Sequence, residues 1–171
     1  MLEKKQISEE DTTQFNEQLK FIQHAMAPDV ACSAGFGQEA IMKNWRLTQF
    51  FGDVLVELDD MQTSSDSLVS AVTRTSVTIT RRTFGTLLPH LNNPDIGSNE
   101  YKLASKLLGQ RIVMLGSAHF EWDDVHGLLA SVMFQNDMLT PLLCLLGDLE
   151  EVALVFDKAA VSPEFQWKTR M

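Results

Sequence analysis

The residues best suited to chemistry lie in the last third of the chain, beginning with Asp137. Asp137 follows an apolar segment predicted to be the last strand, and a carboxylate desolvated at that point could act as a general base. The same carboxylate could instead cap the turn or the helix predicted to begin at Thr140. The sequence favours the capping interpretation and leaves the catalytic one open.

His119 is the second candidate base. His119 and Glu121 occupy one face of a predicted strand, about 7 Å apart by strand rise, and such a pair could tune a proton shuttle. The alternation assigns Phe120 and Trp122 to the opposite face. We therefore expect His119 and Glu121 to face solvent or a dimer interface.

A metal site is the third chemical possibility. His119 and Glu121 are followed by Asp123, Asp124 and His126, which add oxygen ligands and a second imidazole. Their spacing matches no recognised ligand pattern, and an Asp-rich hairpin is usually a solvated turn. The sequence also lacks a Gly-rich phosphate loop, a GxSxG elbow and an HExxH motif, so we expect neither a metal nor a cofactor.

Six residues from one predicted helix and two predicted strands could form the wall of an apolar pocket. They are Trp45, Phe51, Val69, Thr73, Thr75 and Phe134. Aromatic residues at helical spacing more often pack in a core. The two interpretations are compatible, because a pocket wall can be one end of a core.

Two helices are predicted to precede the strands that carry these residues. The first ends near Ala27, before Pro28, and a loop over residues 29–37 leads to a second helix over residues 38–51. Residues 54–59 alternate as a half-buried strand does, and a polar connection over residues 62–67 follows.

Further strands and two short helices complete the prediction. A β-branched segment over residues 68–80 predicts a central strand. Residues 81–91 could continue as strand or form a short helix, before an exposed loop and a helical turn near residues 103–108. Strands over residues 112–122 and 128–136 follow, and then helices beginning at Thr140 and Asp148.

Length and composition indicate one globular domain. The chain has 171 residues, of which 44% are hydrophobic and 22% charged, which suits one domain with its own core. We expect the domain to span residues 13–161, with a flexible N-terminal segment at 1–12 and a C-terminal tail at 162–171.

Charge and cysteine content restrict the partners and the compartment. A formal net charge of −9 disfavours the DNA backbone as a direct partner, since nucleic-acid affinity comes largely from basic side chains. No segment resembles a signal peptide or a membrane span. Cys32 and Cys144 show no ligand spacing and are predicted to be buried thiols of an intracellular protein.

Two segments resemble a known superfamily. Residues 37–41 with Trp45, and the strand 128–137 leading into residues 142–147, are similar to the nuclear transport factor 2-like superfamily, especially its SnoaL-like polyketide-cyclase branch. The resemblance implies an α+β, cystatin-like cone: a strongly bent antiparallel sheet wrapped around N-terminal helices, with a pocket between them. The acid-phenol pair of its ketosteroid-isomerase branch is not recognisable, since the only tyrosine is Tyr101.

A more specific set of motifs resembles the C-terminal domain of oomycete-type basic leucine-zipper (bZIP) transcription factors. The matching segments are residues 26–30, 44–47, 75–80, 89–91, 106–111, 120–123, 137–143 and 149–152. No basic helix or leucine heptad precedes residue 15, and bZIP proteins need both to contact DNA. We therefore expect no direct nucleic-acid binding by this chain, and a zipper supplied by a longer chain or by a partner.

The resemblance implies a noncatalytic ligand-sensing or dimerisation module associated with bZIP-type transcriptional regulation. Apolar residues on both faces of the 112–122 strand favour a homodimer through the sheet, and the pocket could admit a small apolar ligand. The expected location is nuclear when the module is part of a bZIP factor or bound to one, and otherwise cytoplasmic. The alternative is a SnoaL-like lyase, isomerase or hydrolase acting on a small apolar carbonyl compound, with Asp137 or His119 as base.

Overall fold

The computed structural model describes residues 9–168, and the side chains of residues 16–168. The helices are α1 (Glu9–Ala25), α2 (Gln38–Trp45), α3 (Arg81–Thr86), α4 (Asn99–Leu107), α5 (Leu139–Leu146) and α6 (Leu149–Asp157). The strands are β1 (Met26–Cys32), β2 (Gly35–Phe36), β3 (Gly52–Ser65), β4 (Leu68–Thr78), β5 (Arg111–Asp123) and β6 (Leu128–Asn136). Single 3₁₀ turns cover Arg46–Phe50 and Pro89–Leu91.

Six strands form one strongly curved, unclosed sheet in the order β2-β1-β6-β5-β4-β3. The α+β cone implied by the resemblance is confirmed. One pairing departs from an all-antiparallel sheet, because β1 runs parallel to β6 while the other neighbours are antiparallel. The long hairpins β3–β4 and β5–β6 form the part of the sheet that carries the candidate residues.

Strand β1 replaces the predicted loop that followed the first helix. Helix α1 ends at Ala25 rather than near Ala27, and β1 begins at the next residue. Pro28 cannot donate a ladder hydrogen bond, and the β1–β6 register shifts between Met26 and Ala31. The local sequence therefore resembles a loop, and only the pairing with β6 makes it a strand.

Strand β3 is longer and more exposed than predicted. It runs to Ser65, through most of the predicted polar connection, and residues 53–65 are exposed. The prediction of a half-buried strand was wrong. Alternation shows that one face of a strand is apolar, but it does not show whether another element packs on that face. Strand β3 is the edge of the sheet, where helices of the described chain leave both of its faces uncovered.

The remaining elements follow the predicted order closely. Strands β4, β5 and β6 and helices α5 and α6 occupy the predicted segments. Residues 81–91 form helix α3 and a 3₁₀ turn rather than a strand, and the helical turn near residues 103–108 is the end of α4. Cys32 is buried, as predicted, whereas Cys144 is exposed, so the prediction of a buried thiol was wrong for Cys144.

Two hydrophobic cores pack on the inner face of the sheet. The first joins β4 and β5 to α3–α6 and includes Val77 and Met114. The second joins α1, α2 and β1 to β6 and includes Ile41 and Val132. A row of aligned residues lies between the cores on adjacent strands: Thr73, Gly116 and Asn136.

The end of the described chain packs against the domain. Phe165 is buried and Trp167 is half-buried, so residues 162–168, expected to form a tail, cover part of the first core. The expected flexible segment at residues 1–12 lies mostly outside the described residues, although α1 begins at Glu9. No helix within residues 9–168 is long and apolar enough to cross a membrane.

Candidate functional site

An exposed apolar patch lies on the outer face of the sheet, opposite the two cores. Its members sit on β3, β4, β5 and β6 with side chains on the same face, as the ladder pairings show. We call this set the outer patch: Leu55, Val72, Val113, Leu115 and Met133. Leu115 is 59% exposed and Val113 46%, so no element of the described chain shields the patch from water.

Charged residues of both signs lie among and beside the members of the outer patch. Arg74 is opposite Glu57 in the β3–β4 ladder and forms an ion pair with Asp59 at 3.1 Å. The Arg111 guanidinium donates to the carbonyl oxygen of Asp53 at 2.8 Å. Arg74 is also opposite Leu115 in the β4–β5 ladder, so the outer face combines apolar and charged side chains, as protein interfaces do.

His119 also lies on the outer face. Its Nδ1 and the Ser70 hydroxyl are 3.0 Å apart and share a hydrogen bond, and its ladder partner on β6 is Met133. Neither a hydrogen bond nor an ion pair within residues 9–168 joins His119 to Glu121. The imidazole is thus held beside the outer patch and not inside a cavity.

A cavity of about 430 Å³ opens where β5, β6, α5 and the end of the chain meet. Its lining residues are Leu115, Gly116, Ser117, Gln135, Asn136, Asp137, Leu139, Pro163 and Glu164. Asp137 is the only predicted site residue in this lining. Most of the lining was missed by sequence reasoning, because the residues 135–139 and 163–164 are brought together only by the fold.

The carboxylate of Asp137 is engaged by the first turn of α5. It accepts hydrogen bonds from the Thr140 backbone N–H at 3.0 Å and from the Thr140 hydroxyl at 2.5 Å. The hydroxyl bond, followed by the N–H bond, holds the pKa of Asp137 below its ordinary value. A carboxylate stabilised in its charged form is a weaker base, so this geometry supports the capping interpretation.

The six predicted pocket residues do not line the cavity beside Asp137. Trp45 and Phe134 pack against the second core, whereas Phe51 belongs to the first. Val69, Thr73 and Thr75 share the inner face of β4, where Thr75 is 4% exposed. Residues 165–167 cover the Phe51 end of this region, a contact that apolar residues in the predicted tail could have suggested.

Gly116 allows the side chain of Asn136 to lie directly against β5. A Cβ atom on Gly116 would lie 2.1 Å from Asn136 Oδ1 and 2.8 Å from Thr73 Oγ1. Asn136 Oδ1 is buried without a hydrogen-bond partner, and a buried unpaired acceptor is unfavourable. The inner face therefore carries an unsatisfied polar group beside the end of the chain.

The acidic segment after β5 is a hydrogen-bonded turn. Asp123 accepts from the backbone N–H groups of Val125 and His126 and pairs with the His126 ring at 2.7 Å. The hydrogen bond from the His126 side chain is the main cause of the lowered pKa of Asp123. The described residues contain no group of three or more His, Cys, Asp or Glu side chains arranged to hold a metal ion.

Sequence comparison matches the N-terminal part of the chain to a transcription-factor family. Residues 3–50 match the family model of the C-terminal domain of BZIP transcription factor 1. The match covers α1, β1, β2, α2 and the 3₁₀ turn that follows α2, or less than a third of the chain. No curated protein matches the sequence.

Structural comparison identifies the fold. A SnoaL-like polyketide cyclase from Agrobacterium tumefaciens is 12% identical with a TM-score of 0.52, covering 79% of this chain and 91% of the cyclase. IdmH from Streptomyces antibioticus, to which a polyketide cyclase activity is ascribed, is 18% identical with a TM-score of 0.50, covering 80% and 92%. Together with the family match, these similarities confirm the two resemblances inferred from the sequence.

Proposed function

We propose that this domain, with its SnoaL-like fold and its match to a bZIP-factor C-terminal domain, is a noncatalytic dimerisation module in bZIP-type transcriptional regulation. Two copies would pack through the outer patch of their sheets. The exposure of this patch carries the proposal, because its apolar residues lie on four neighbouring strands. Exposed apolar residues gathered on one face mark interaction sites in soluble proteins.

The partner that fits the outer patch best is a second copy of the chain. Each of the strands β3–β6 places at least one apolar member of the patch on the outer face, and a four-stranded face can supply the roughly 800 Å² per partner of a standard interface. Arg74 and Glu57 place opposite charges beside its apolar centre, so two copies related by a dyad can pair unlike charges across the interface. We therefore propose an isologous dimer, in which the outer faces of the two sheets pack against each other.

A dimerisation module suits a bZIP factor because the zipper itself acts as a dimer. Two chains must associate before their basic helices can grip DNA. A second dimer contact in the same chain raises the effective concentration of the zipper helices. With a net charge of −9, the module would leave DNA contact to the basic region, and its location would be nuclear when it is joined to a bZIP factor.

The catalytic alternative requires either Asp137 or His119 to act as the general base. Asp137 is bonded to Thr140, while His119 lies beside Met133 on the outer face. Met133 and Asp137 are four residues apart on the chain, roughly 13 Å by strand rise. Neither base faces the inner surface on which the cone family's pocket was expected, so no observation favours this alternative over dimerisation.

Analytical ultracentrifugation of Leu115→Glu tests the dimer. Wild-type protein should sediment as a dimer at micromolar concentration, and Leu115→Glu as a monomer, because two carboxylates would be buried without partners in the centre of the interface. Leu115 is already exposed, so its replacement should leave the circular dichroism spectrum of the monomer unchanged. Val125→Glu is the matched control, since Val125 is 87% exposed in the β5–β6 turn.

The outcomes of this experiment are decisive in either direction. Loss of the dimer in Leu115→Glu but not in Val125→Glu supports packing through the outer patch. A wild-type protein that remains monomeric at high micromolar concentration, or a Leu115→Glu variant that remains dimeric, would overturn the proposal.

A further inference from the structure

Strand β3 ends the sheet with one side unpaired. Within residues 9–168 it pairs with β4 alone, and the strand order places no described strand on its other side. Residues 53–65 are all exposed, so the free side of β3 is open to solvent. The edge of a sheet presents a row of backbone N–H and C=O groups with which another chain can pair.

The backbone groups of Val56 and Leu58 point toward this free side. Successive residues of a strand direct their N–H and C=O groups to opposite sides. Ile79 bonds to the segment just before β5, so by this alternation Arg74 bonds toward β3, where its ladder partner is Glu57. Val56 and Leu58, on either side of Glu57, therefore turn their donors and acceptors away from β4.

Farther along β3 a side chain occupies the free side. The N–H of Met61 donates to the Asp60 carboxylate at 2.9 Å, so this backbone donor is bonded locally. The β3–β4 register also shifts before Leu55 and after Leu58. The part of the free side that is both regular and unoccupied is therefore residues 55–58, which we call the open edge.

The two faces of β3 at the open edge differ in chemistry. Val56 and Leu58 lie on the inner side of the sheet, where they are 61% and 60% exposed. Glu57 lies on the outer side, and Asp59 and Asp60 follow it in the strand. Of these three carboxylates, only that of Asp59 forms an ion pair within residues 9–168. Since β3 contains no Lys or Arg, its charged side chains are all acidic.

We propose that the open edge binds an extended segment of another protein, in which Lys or Arg alternates with apolar residues. The segment would add a strand to the sheet, with its backbone bonded to Val56 and Leu58. Neighbouring side chains on paired strands share a face. The apolar residues of the segment would thus lie beside Val56 and Leu58, and its basic residues beside Glu57. Strand addition gains affinity from the backbone bonds and specificity from the alternate side chains.

A second copy of β3 is a poor occupant of the open edge. Antiparallel pairing of β3 with itself about Glu57 would place carboxylates opposite carboxylates, which is destabilising. A basic segment reverses the sign of this interaction. The open edge lies in the plane of the sheet, so this inference does not depend on the dimer proposed for the outer face.

A synthetic peptide tests the open edge. The probe is a fluorescently labelled, capped peptide of about eight residues in which lysine alternates with valine, the length of an ordinary strand. We expect fluorescence anisotropy to show that it binds the wild-type protein. Methylation of its valine nitrogens keeps the charge but removes the donors that would face Val56 and Leu58, and should weaken binding on the order of tenfold. A peptide with glutamate in place of lysine should not bind.

Hydrogen exchange measured by NMR locates the bound peptide. In the free protein the amides of Val56 and Leu58 should exchange faster than that of Glu57, which bonds to β4. The lysine–valine peptide should slow exchange of Val56 and Leu58 on the order of tenfold and leave Glu57 nearly unchanged. Attachment through charge alone would not produce this alternation, so a bound peptide that slows neither amide would overturn the proposal.

Substitutions in β3 separate the backbone contribution from that of charge. Val56→Pro removes an edge donor that the fold itself does not use, and it should abolish most of the peptide binding, whereas Val56→Ala keeps the donor and is its control. Glu57→Lys should weaken binding several-fold through repulsion of the basic peptide. Glu17→Lys makes the same charge change at an exposed position on α1 and should bind as the wild type does.

The results decide between the possible occupants. Circular dichroism must show that Val56→Pro is folded, and the methylated peptide, which is tested on the wild type, gives the same information without a substitution. Absence of binding by the lysine–valine peptide, or equal binding by its methylated form, would overturn the proposal. A wild-type dimer that becomes monomeric in folded Val56→Pro would assign the edge to a second copy and would overturn it as well.

Discussion

At the scale of single residues, the two carboxylates with lowered pKa values both stabilise turns. The Asp137 carboxylate accepts hydrogen bonds from Thr140 at the start of α5. The Asp123 carboxylate is hydrogen-bonded to the His126 ring in the β5–β6 turn. In each case a hydrogen bond to a nearby side chain is the largest cause of the lower pKa. Local donors within three residues explain both shifts, so neither shift by itself indicates catalysis.

Asp137→Ala should destabilise the folded domain by about 0.5–2 kcal/mol, the usual effect of removing a helix cap. The Thr140 N–H would then lose its partner at the exposed start of α5. Urea unfolding followed by circular dichroism measures the change. Asp124→Ala is the matched control, because the described residues give the Asp124 carboxylate neither a hydrogen bond nor an ion pair.

Asp137→Ala also gives a prediction for how the stability of the domain depends on pH. The folded-state pKa of Asp137 is lowered, so its contribution to stability is fully present above the unfolded-state pKa of about 3.9 and is lost as the pH falls through the lower folded-state value. The difference in unfolding free energy between wild type and Asp137→Ala should therefore shrink in acid. A difference that is constant from neutral pH to strong acid would contradict this assignment.

At the scale of elements, a buried hydroxyl joins the 3₁₀ turn after α2 to helix α3. Thr83 is fully buried, and its hydroxyl donates to the carbonyl of Phe50 at 2.5 Å while accepting from the N–H of Thr80 at 3.0 Å. These bonds fix the end of the turn that presents Phe50 and Phe51 to Trp167 and Phe165. The packing of these aromatic rings thus depends on α3.

Thr83→Val should destabilise the protein by about 1–3 kcal/mol, because a side chain of the same shape would leave two buried backbone groups without partners. Thermal unfolding monitored by circular dichroism provides the measurement. Thr63→Val, at an exposed position on β3, is the control for the chemical change. Equal melting temperatures for the two variants would show that the Thr83 hydroxyl does not hold the turn.

At the scale of the whole molecule, the net charge opposes association of two copies. Each chain carries a formal charge of −9, so the proposed dimer would bring like charges together around the apolar residues of the outer patch. Raising NaCl from about 20 mM to about 200 mM shortens the Debye length and should strengthen dimerisation. Sedimentation equilibrium at both salt concentrations measures the dissociation constant, and a dimer that weakens with salt would indicate an interface held mainly by ion pairs.

Local sequence patterns were sufficient to predict those helices and strands whose signals lie within a few neighbouring residues. The β-branched segment of β4, the alternation of β5 and β6, and the glycine at residue 147 that ends α5 each act over a few residues. The cone fold was inferred from a resemblance and confirmed by comparison. For the candidate site, the sequence identified Asp137 and its two possible roles.

Only the tertiary structure decided what depends on residues distant in the chain. Strand β1 exists because β6 pairs with it. Strand β3 is exposed because no helix within residues 9–168 packs against it, although its own alternation is that of a half-buried strand. Residues 162–168 pack on the domain through the contact of Phe165 with Phe51, which is more than a hundred residues earlier. Periodicity records which side chains share a face, whereas burial and strand pairing are set by what packs against that face.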